Sequence, residues 1–347
     1  MERTARVLRV AVTGASGMLG TALIAAEWKG VDWLGIDVRP PLAPATHDFR
    51  RIDVRDTERL TTALRGVDVL VHAAAALPSH SSSEIRSVDV KGTESVLAAA
   101  GRAGVGRVVH VSSTAVYGLP RSCPTPEDHP CEPVDPYSEA KREAEKLVER
   151  ARSEGLCAPI LRPKTFLGEN RLGLFAMLFE WADEGRDFPL LGGGEHRAQM
   201  LDVDDLCTAV RAACERDDAD VNDTFNIGAD RFGSLREEFQ AVLDAAGHGG
   251  RVRALPMAPA VGTLRLLAAL RLSPVYKRLI HKLTRDSYVS IDKAVERLGF
   301  SPVHSNEETL LRTYAWWRET GTETRTVGRT HRDAWRQGAL RLAKTFC

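Results

Sequence analysis

The stretch Val7-Leu8-Arg9-Val10-Ala11-Val12-Thr13 runs directly into Gly14-Ala15-Ser16-Gly17-Met18-Leu19-Gly20, and the join between the two decides the fold. A short Val-rich run broken only by Arg9 reads as a strand buried on both faces, as strands of parallel sheets are. The glycines after it permit a tight turn and let main chain approach a ligand closely. The helical pattern that follows supplies unpaired N–H groups at a helix N-terminus. Strand, glycine turn and helix together make an anion site of the kind that holds a dinucleotide pyrophosphate.

Outward from this unit the alternation continues. Val31–Asp37, Val67–His72, Val108–Ser112 and Ala158–Arg162 read as further buried strands, and Leu19–Trp28, Thr57–Leu64, Ile85–Gly101 and Ser138–Glu154 carry helical spacing. This rhythm predicts an α/β fold, a Rossmann-type doubly wound parallel sheet with a smaller C-terminal substrate-binding domain. The expected division is a cofactor domain over 1–166, a mainly substrate-binding domain over 167–320 and a basic tail over 321–347. The second domain is drawn chiefly from Leu167–Gly185, Phe188–Met200 and Arg231–Trp317, with separate helices at Val203–Glu215 and Leu235–Ala246. Phe225-Asn226-Ile227-Gly228, within 221–229, is expected to return to the main sheet as its last strand.

Two further features give the glycine turn a chemical meaning. Asp37 ends the second strand, 20 residues after Gly17, where a carboxylate accepts hydrogen bonds from an adenosine ribose and repels a 2′-phosphate. That favours NAD over NADP, while Arg39 is the opposing signal, because a guanidinium can pair with such a phosphate. Tyr137-Ser138-Glu139-Ala140-Lys141 opens a helix and puts a phenol and an ammonium on one face, one turn apart. A phenol of ordinary pKa needs roughly 4 kcal/mol of differential stabilisation to act as a base near neutrality. An adjacent ammonium and a cationic nicotinamide ring are charges of the right sign to supply it. Ser112-Ser113-Thr114 ends another strand, and hydroxyls at the carboxyl end of a parallel strand face the ligand crevice.

Composition excludes other classes. The 347 residues carry 47 Lys+Arg against 47 Asp+Glu, an unsuitable balance for a chain devoted to nucleic-acid phosphates. Six cysteines, with no CxxC pair, read as reduced thiols of a cytoplasmic protein, and no metal site is expected. Val261–Leu272, interrupted by Arg265 and Arg271, is too short to span a bilayer and reads as an amphipathic helix. Within 325–347 six basic residues face one acidic residue, Asp333, the pattern of a solvated end.

Taken in order, Thr13–Gly20, Asp37, Asp53-Val54, Val71–Ala75, Val111–Gly118, Tyr137–Lys141 and Leu161–Gly168 resemble the extended short-chain dehydrogenases/reductases, specifically the NAD-dependent epimerase/dehydratase family. The resemblance runs over roughly 7–320. It implies that Gly14, Ser16, Gly17 and Met18 hold the pyrophosphate, Asp37 the ribose, and Asp53 and Val54 the adenine. Ala73 and Ala74 would lie along the cofactor, Pro163 near the nicotinamide, and Ser113, Tyr137 and Lys141 would be catalytic. Arg197 would meet the diphosphate of a nucleotide-sugar, with Gln199 as its polar neighbour toward the substrate, and a homodimer would form through the helices around Val88–Ala100 and Leu147–Ala151. Two departures stand out. Lys164-Thr165 replaces the residues that often precede the substrate-binding Asn and the Asn itself, which opens the way to a carboxylated sugar. Thr114-Ala115 stands where sugar dehydratases of the family carry an acid/base Asp-Glu pair, which disfavours dehydration. The reaction expected is inversion of a nucleotide-sugar, with reduction of a keto-sugar or alicyclic ketone as the alternative.

Overall fold

The computed structural model describes residues 7–41, 47–169, 175–256 and 285–320. Val261–Leu272 and the tail 321–347 lie outside them. The chain opens with β1 (Leu8–Thr13), α1 (Met18–Ala25), β2 (Val31–Asp37), β3 (Asp48–Arg51), α2 (Thr57–Ala63) and β4 (Val69–His72). It continues through α3 (Ser82–Ile85), a π-type stretch at Arg86–Lys91, α4 (Gly92–Ala103), β5 (Arg107–Val111), α5 (Pro136–Ser153) and β6 (Ile160–Pro163). Then follow β7 (Thr165–Leu167), α6 (Phe175–Asp183), β8 (Phe188–Leu191), β9 (Met200–Asp202), α7 (Val203–Glu215), α8 (Asp218–Val221) and β10 (Thr224–Ile227). The described chain closes with α9 (Leu235–Ala246), β11 (Val252–Leu255) and α10 (Asn306–Thr320).

The main sheet has the order β10-β6-β5-β4-β1-β2-β3, and every pairing in it is parallel. Alternation along β1 builds both faces. Val10 and Val12 join Leu23, Leu206, Val210 and Phe225 on one side, while Ala11 joins Leu34, Leu60, Leu64, Leu70 and Val96 on the other. Each such side chain contributes roughly 1.5–3 kcal/mol by leaving water, so the strand is fixed by burial on both of its faces.

The expected last strand is present as β10, hydrogen-bonded to β6. Three expectations need correction. β3 went unread because its sequence, Asp48-Phe49-Arg50-Arg51, is charged and half exposed, as an edge strand can be. Ile85–Gly101 is not one regular helix but α3, the wider π-type stretch and α4 in succession. Helix α7 is not separate from the main sheet: Leu206, Cys207, Val210 and Ala213 pack into the same core as β1. A second core gathers Phe179, Trp181, Phe188, Phe239 and Tyr314, beside the short pairs β7–β9 and β8–β11. Of the face expected to pair two copies, Val96, Ala99, Ala100 and Val148 are buried inside the chain itself.

Candidate active site

The glycine turn closes against the loop after β4. Gly14 has φ +74°, and a Cβ there would sit 2.8 Å from the Ala74 nitrogen. Gly20 is equally constrained, its missing Cβ falling 2.3 Å from the Gly14 carbonyl oxygen. The Gly17 N–H donates to Gly14 O at 2.9 Å, and no side chain caps α1. The amides of its first turn are thus available to an anion.

The crevice above this turn is lined by Gly14, Ser16, Gly17, Met18, Asp37, Asp53, Val54, Ala73, Ala74, Tyr137 and Lys141. The fold therefore brings together eleven of the residues singled out in the sequence, drawn from five separate segments. Asp37 is buried and accepts from the Ser16 and Arg39 main-chain N–H groups, each at 3.0 Å, while Ser16 Oγ donates to Arg39 O. The carboxylate thereby pins the glycine turn to the end of β2. Arg39 itself is exposed on the rim. At the far end Arg55 donates to both oxygens of Asp53, which holds that carboxyl below the usual range.

Tyr137 and Lys141 occupy the first turns of α5. Asp135 accepts from the Ser138 N–H, and the Ser138 hydroxyl accepts from the Asp135 N–H, so a capping box fixes where the helix begins. Lys141 is 4% exposed. Its Nζ donates to Val111 O at 3.2 Å and lies 5.9 Å from the Tyr137 ring centroid. The buried ammonium polarises its surroundings. His72, held between the Thr13 and Thr93 hydroxyls, is pushed down to about 3 by burial and then by Lys141. His110, 5.4 Å away ring to ring, is also pushed well down, by burial first and then by His72 and Lys141.

Ser113, Thr114, Pro163, Lys164, Thr165, Arg197 and Gln199 do not line this crevice. Ser113 caps the short turn Thr114–Tyr117, its Oγ accepting from Ala115 N–H at 3.1 Å. Thr114 Oγ1 donates to Pro163 O at 3.3 Å, and Pro163, at the end of β6, is buried. Thr114 and Lys164 instead line a neighbouring pocket with Tyr117, Ser287 and Tyr288. Thr165 opens β7, half-buried. Arg197 is exposed, and its guanidinium carbon lies 4.7 Å and 5.2 Å from the Phe232 and Tyr288 ring centroids. Gln199 needs correction as a substrate contact. Its amide nitrogen donates to Ala229 O, its oxygen accepts from Val289 N–H, and it is 3% exposed. Main chain takes both ends of the amide, so it serves as a bracket between the segments at Ala229 and Val289.

Sequence reading missed the charges under the site. Glu145 is fully buried and accepts from Arg162 Nε and Nη2, each at 2.8 Å, and from Ser112 Oγ at 2.6 Å. Arg162 Nη1 donates to Tyr117 Oη, which donates to Asn226 Oδ1, each at 2.8 Å. The signals were present: Glu145 lies one turn beyond Lys141 on the same helical face, and Arg162 is a charge inside an otherwise apolar strand.

A doubly wound parallel sheet with a glycine turn on one wall of its crevice and a Tyr-x-x-x-Lys turn on the other defines an extended short-chain dehydrogenase/reductase. The chain belongs, within that class, to the NAD dependent epimerase/dehydratase family, whose sequence model matches residues 10–228. It is 34% identical over 322 residues to the uncharacterized protein y4nG of Sinorhizobium fredii, covering 90% of this chain and 80% of that one. It is 31% identical over 283 residues to a UDP-glucose 4-epimerase of Mycolicibacterium smegmatis, covering 74% and 88%. The crystal structure of a Thermotoga maritima UDP-glucose 4-epimerase with UDP-glucose superposes with a TM-score of 0.75 at 23% identity, covering 90% and 99%.

Proposed function

We propose that this protein is an NAD-dependent nucleotide-sugar epimerase that inverts C4 of the sugar. The observation that carries the proposal is the crevice itself: Tyr137 and Lys141 stand on one wall and the glycine turn on the other, while Thr114-Ala115 offers no carboxylate for removing water. The residues suit a dinucleotide, because the first turn of α1 has no side-chain cap and Gly17, Met18 and Asp37 all line the crevice. Gly14, Gly17 and the first turn of α1 would hold the pyrophosphate, and Asp37 the adenosine ribose.

NAD, when bound, supplies a reversible hydride acceptor for the sugar carbon. Tyr137 takes the proton of the C4 hydroxyl as the hydride leaves and returns it after the ketone has turned over. The Lys141 ammonium favours the phenolate electrostatically, and Ser113 orients the hydroxyl. Inversion follows because the ketone presents its opposite face when hydride and proton are returned. The assay is incubation of the purified protein with UDP-hexoses and UDP-hexuronates. Inverted product without net NADH supports the reading, whereas one NADH per sugar overturns it and makes the protein a dehydrogenase. We infer also that two copies pair through α4 and α5, using the half-buried Leu97, Leu147 and Ala151. Sedimentation equilibrium at micromolar concentration checks this, and a monomer there would refute it.

A further inference from the structure

Lys164 is a buried amine with no carboxylate partner among the described residues. It is 5% exposed, and its Nζ donates to Ser287 O at 2.9 Å and Ser287 Oγ at 3.1 Å. Both partners are neutral. Among the described residues no carboxylate makes an ion pair with it, and the titratable neighbour that acts on it is the Cys123 thiol. Burial pulls the amine down to about 8. A charge removed from water without a counter-charge is costly, and an anion arriving beside it would relieve that cost.

Space for a partner lies beside it. Lys164 lines a narrow pocket with Thr114, Tyr117, Gly118, Ser287 and Tyr288. Thr114 is the next residue after Ser113, and its hydroxyl donates to the carbonyl of Pro163, the residue before Lys164. The pocket therefore sits one residue beyond the hydroxyl proposed to orient C4. It is too tight for a sugar ring and suits a small planar group carried on the neighbouring carbon.

We propose that Lys164, with the Thr114 and Ser287 hydroxyls, forms a carboxylate-reading subsite, and that the enzyme's substrate is a nucleotide-hexuronate rather than a neutral nucleotide-hexose. The inference rests on the C4 epimerase reading: with C4 held at Ser113, the C5 substituent would lie toward Thr114, the next residue, which lines this pocket. The subsite supplies an ammonium hydrogen bond, the Ser287 hydroxyl hydrogen and, once it turns from Pro163 O, the Thr114 hydroxyl hydrogen to the carboxylate oxygens, while a hydroxymethyl group would leave the ammonium unpaired.

The test is binding to the full-length chain with NAD, in the Tyr137→Phe background so that turnover does not intervene, with UDP-glucuronic acid and UDP-glucose as probes. Calorimetry is expected to show the hexuronate bound about 30-fold more tightly. Lys164→Met and Lys164→Gln are expected to bring that ratio to about one, and Thr114→Val to lower it roughly threefold. At pH 8 the hexuronate, unlike the hexose, should draw a fraction of a proton from buffer, because the carboxylate favours the charged amine; this uptake should vanish without Lys164. Equal binding of the two sugars, or a preference that survives both Lys164 variants, overturns the subsite. A preference carried by Lys164 in a protein that inverts neither sugar keeps the subsite and overturns the epimerase reading instead.

Discussion

The two halves of the sheet's carboxyl rim are built by opposite means. Over β1, β2 and β4 the rim is main chain: a turn that needs Gly14, amides without caps, and a carboxylate, Asp37, that holds the turn by accepting two N–H groups. Over β5, β6 and β10 it is side chain: Glu145, Arg162, Tyr117 and Asn226 in a continuous buried chain of hydrogen bonds. The first half is open and lines the crevice proposed to take the cofactor, whereas the second is sealed and gives helix α5 a fixed seat. Binding and positioning are thus separated along one edge, and substitutions on the two sides should fail differently.

The sharpest break is expected from Arg162→Met. Glu145 would be left buried without its main partner, which typically costs about 3–5 kcal/mol. Chemical denaturation should show this loss, and the double variant Glu145→Leu/Arg162→Met should recover much of it. If the single variant melts as the wild type does, the sealed half is not structural. Gly14→Ala tests the open half. The left-handed φ and the clash with Ala74 should cost about 1–2 kcal/mol of stability and at least tenfold in NAD affinity, measured by fluorescence titration. Unchanged affinity would show that the turn is not the cofactor cradle.

Acid should weaken the boundary between the halves, where His72 and His110 lie side by side. Both imidazoles have folded-state pKa values far below the 6.5 of an unfolded histidine. They therefore take nothing from stability above pH 6.5 and destabilise the fold as pH falls from there toward 3. The slope approaches 1.4 kcal/mol per pH unit for each group. His110→Leu should flatten the difference between melts at pH 7 and pH 5, and an unaltered slope would remove His110 from this account. The smallest effect is expected from Asp37→Ala, which should narrow the preference for NAD over NADP by about tenfold, read from paired titrations. A preference that does not move would assign the choice of cofactor elsewhere.

The open half was legible in the sequence because it is local. The glycine spacing, Asp37 and the Tyr137–Lys141 turn each state their geometry within a few residues or one βαβ unit. Both ends of β2 and of helices α7 and α9 were legible too, for the same reason. The sealed half depends on partners far apart in the chain: Arg162 meets Glu145 across 17 residues and Tyr117 across 45, and no periodicity marks such pairs. Gln199 was misread for a related cause. It stands near Arg197 in sequence, yet β9 turns it inward to main chain at Ala229 and Val289. Edge strand β3 was lost because burial, the usual mark of a strand, is absent there.

Strand β10 is the last piece of the main sheet, yet it arrives only after the chain has left β6 and built α6, α7 and the short strands between. It also carries Asn226, the far end of the Arg162–Tyr117 chain. During synthesis, β6 must therefore wait with one edge unpaired, and the Tyr117 hydroxyl without its Asn226 acceptor, until about sixty more residues have emerged. A cofactor module bounded at residue 166 therefore lacks one strand of the main sheet. In recombination between relatives, the crossover that preserves the sheet lies beyond Ile227.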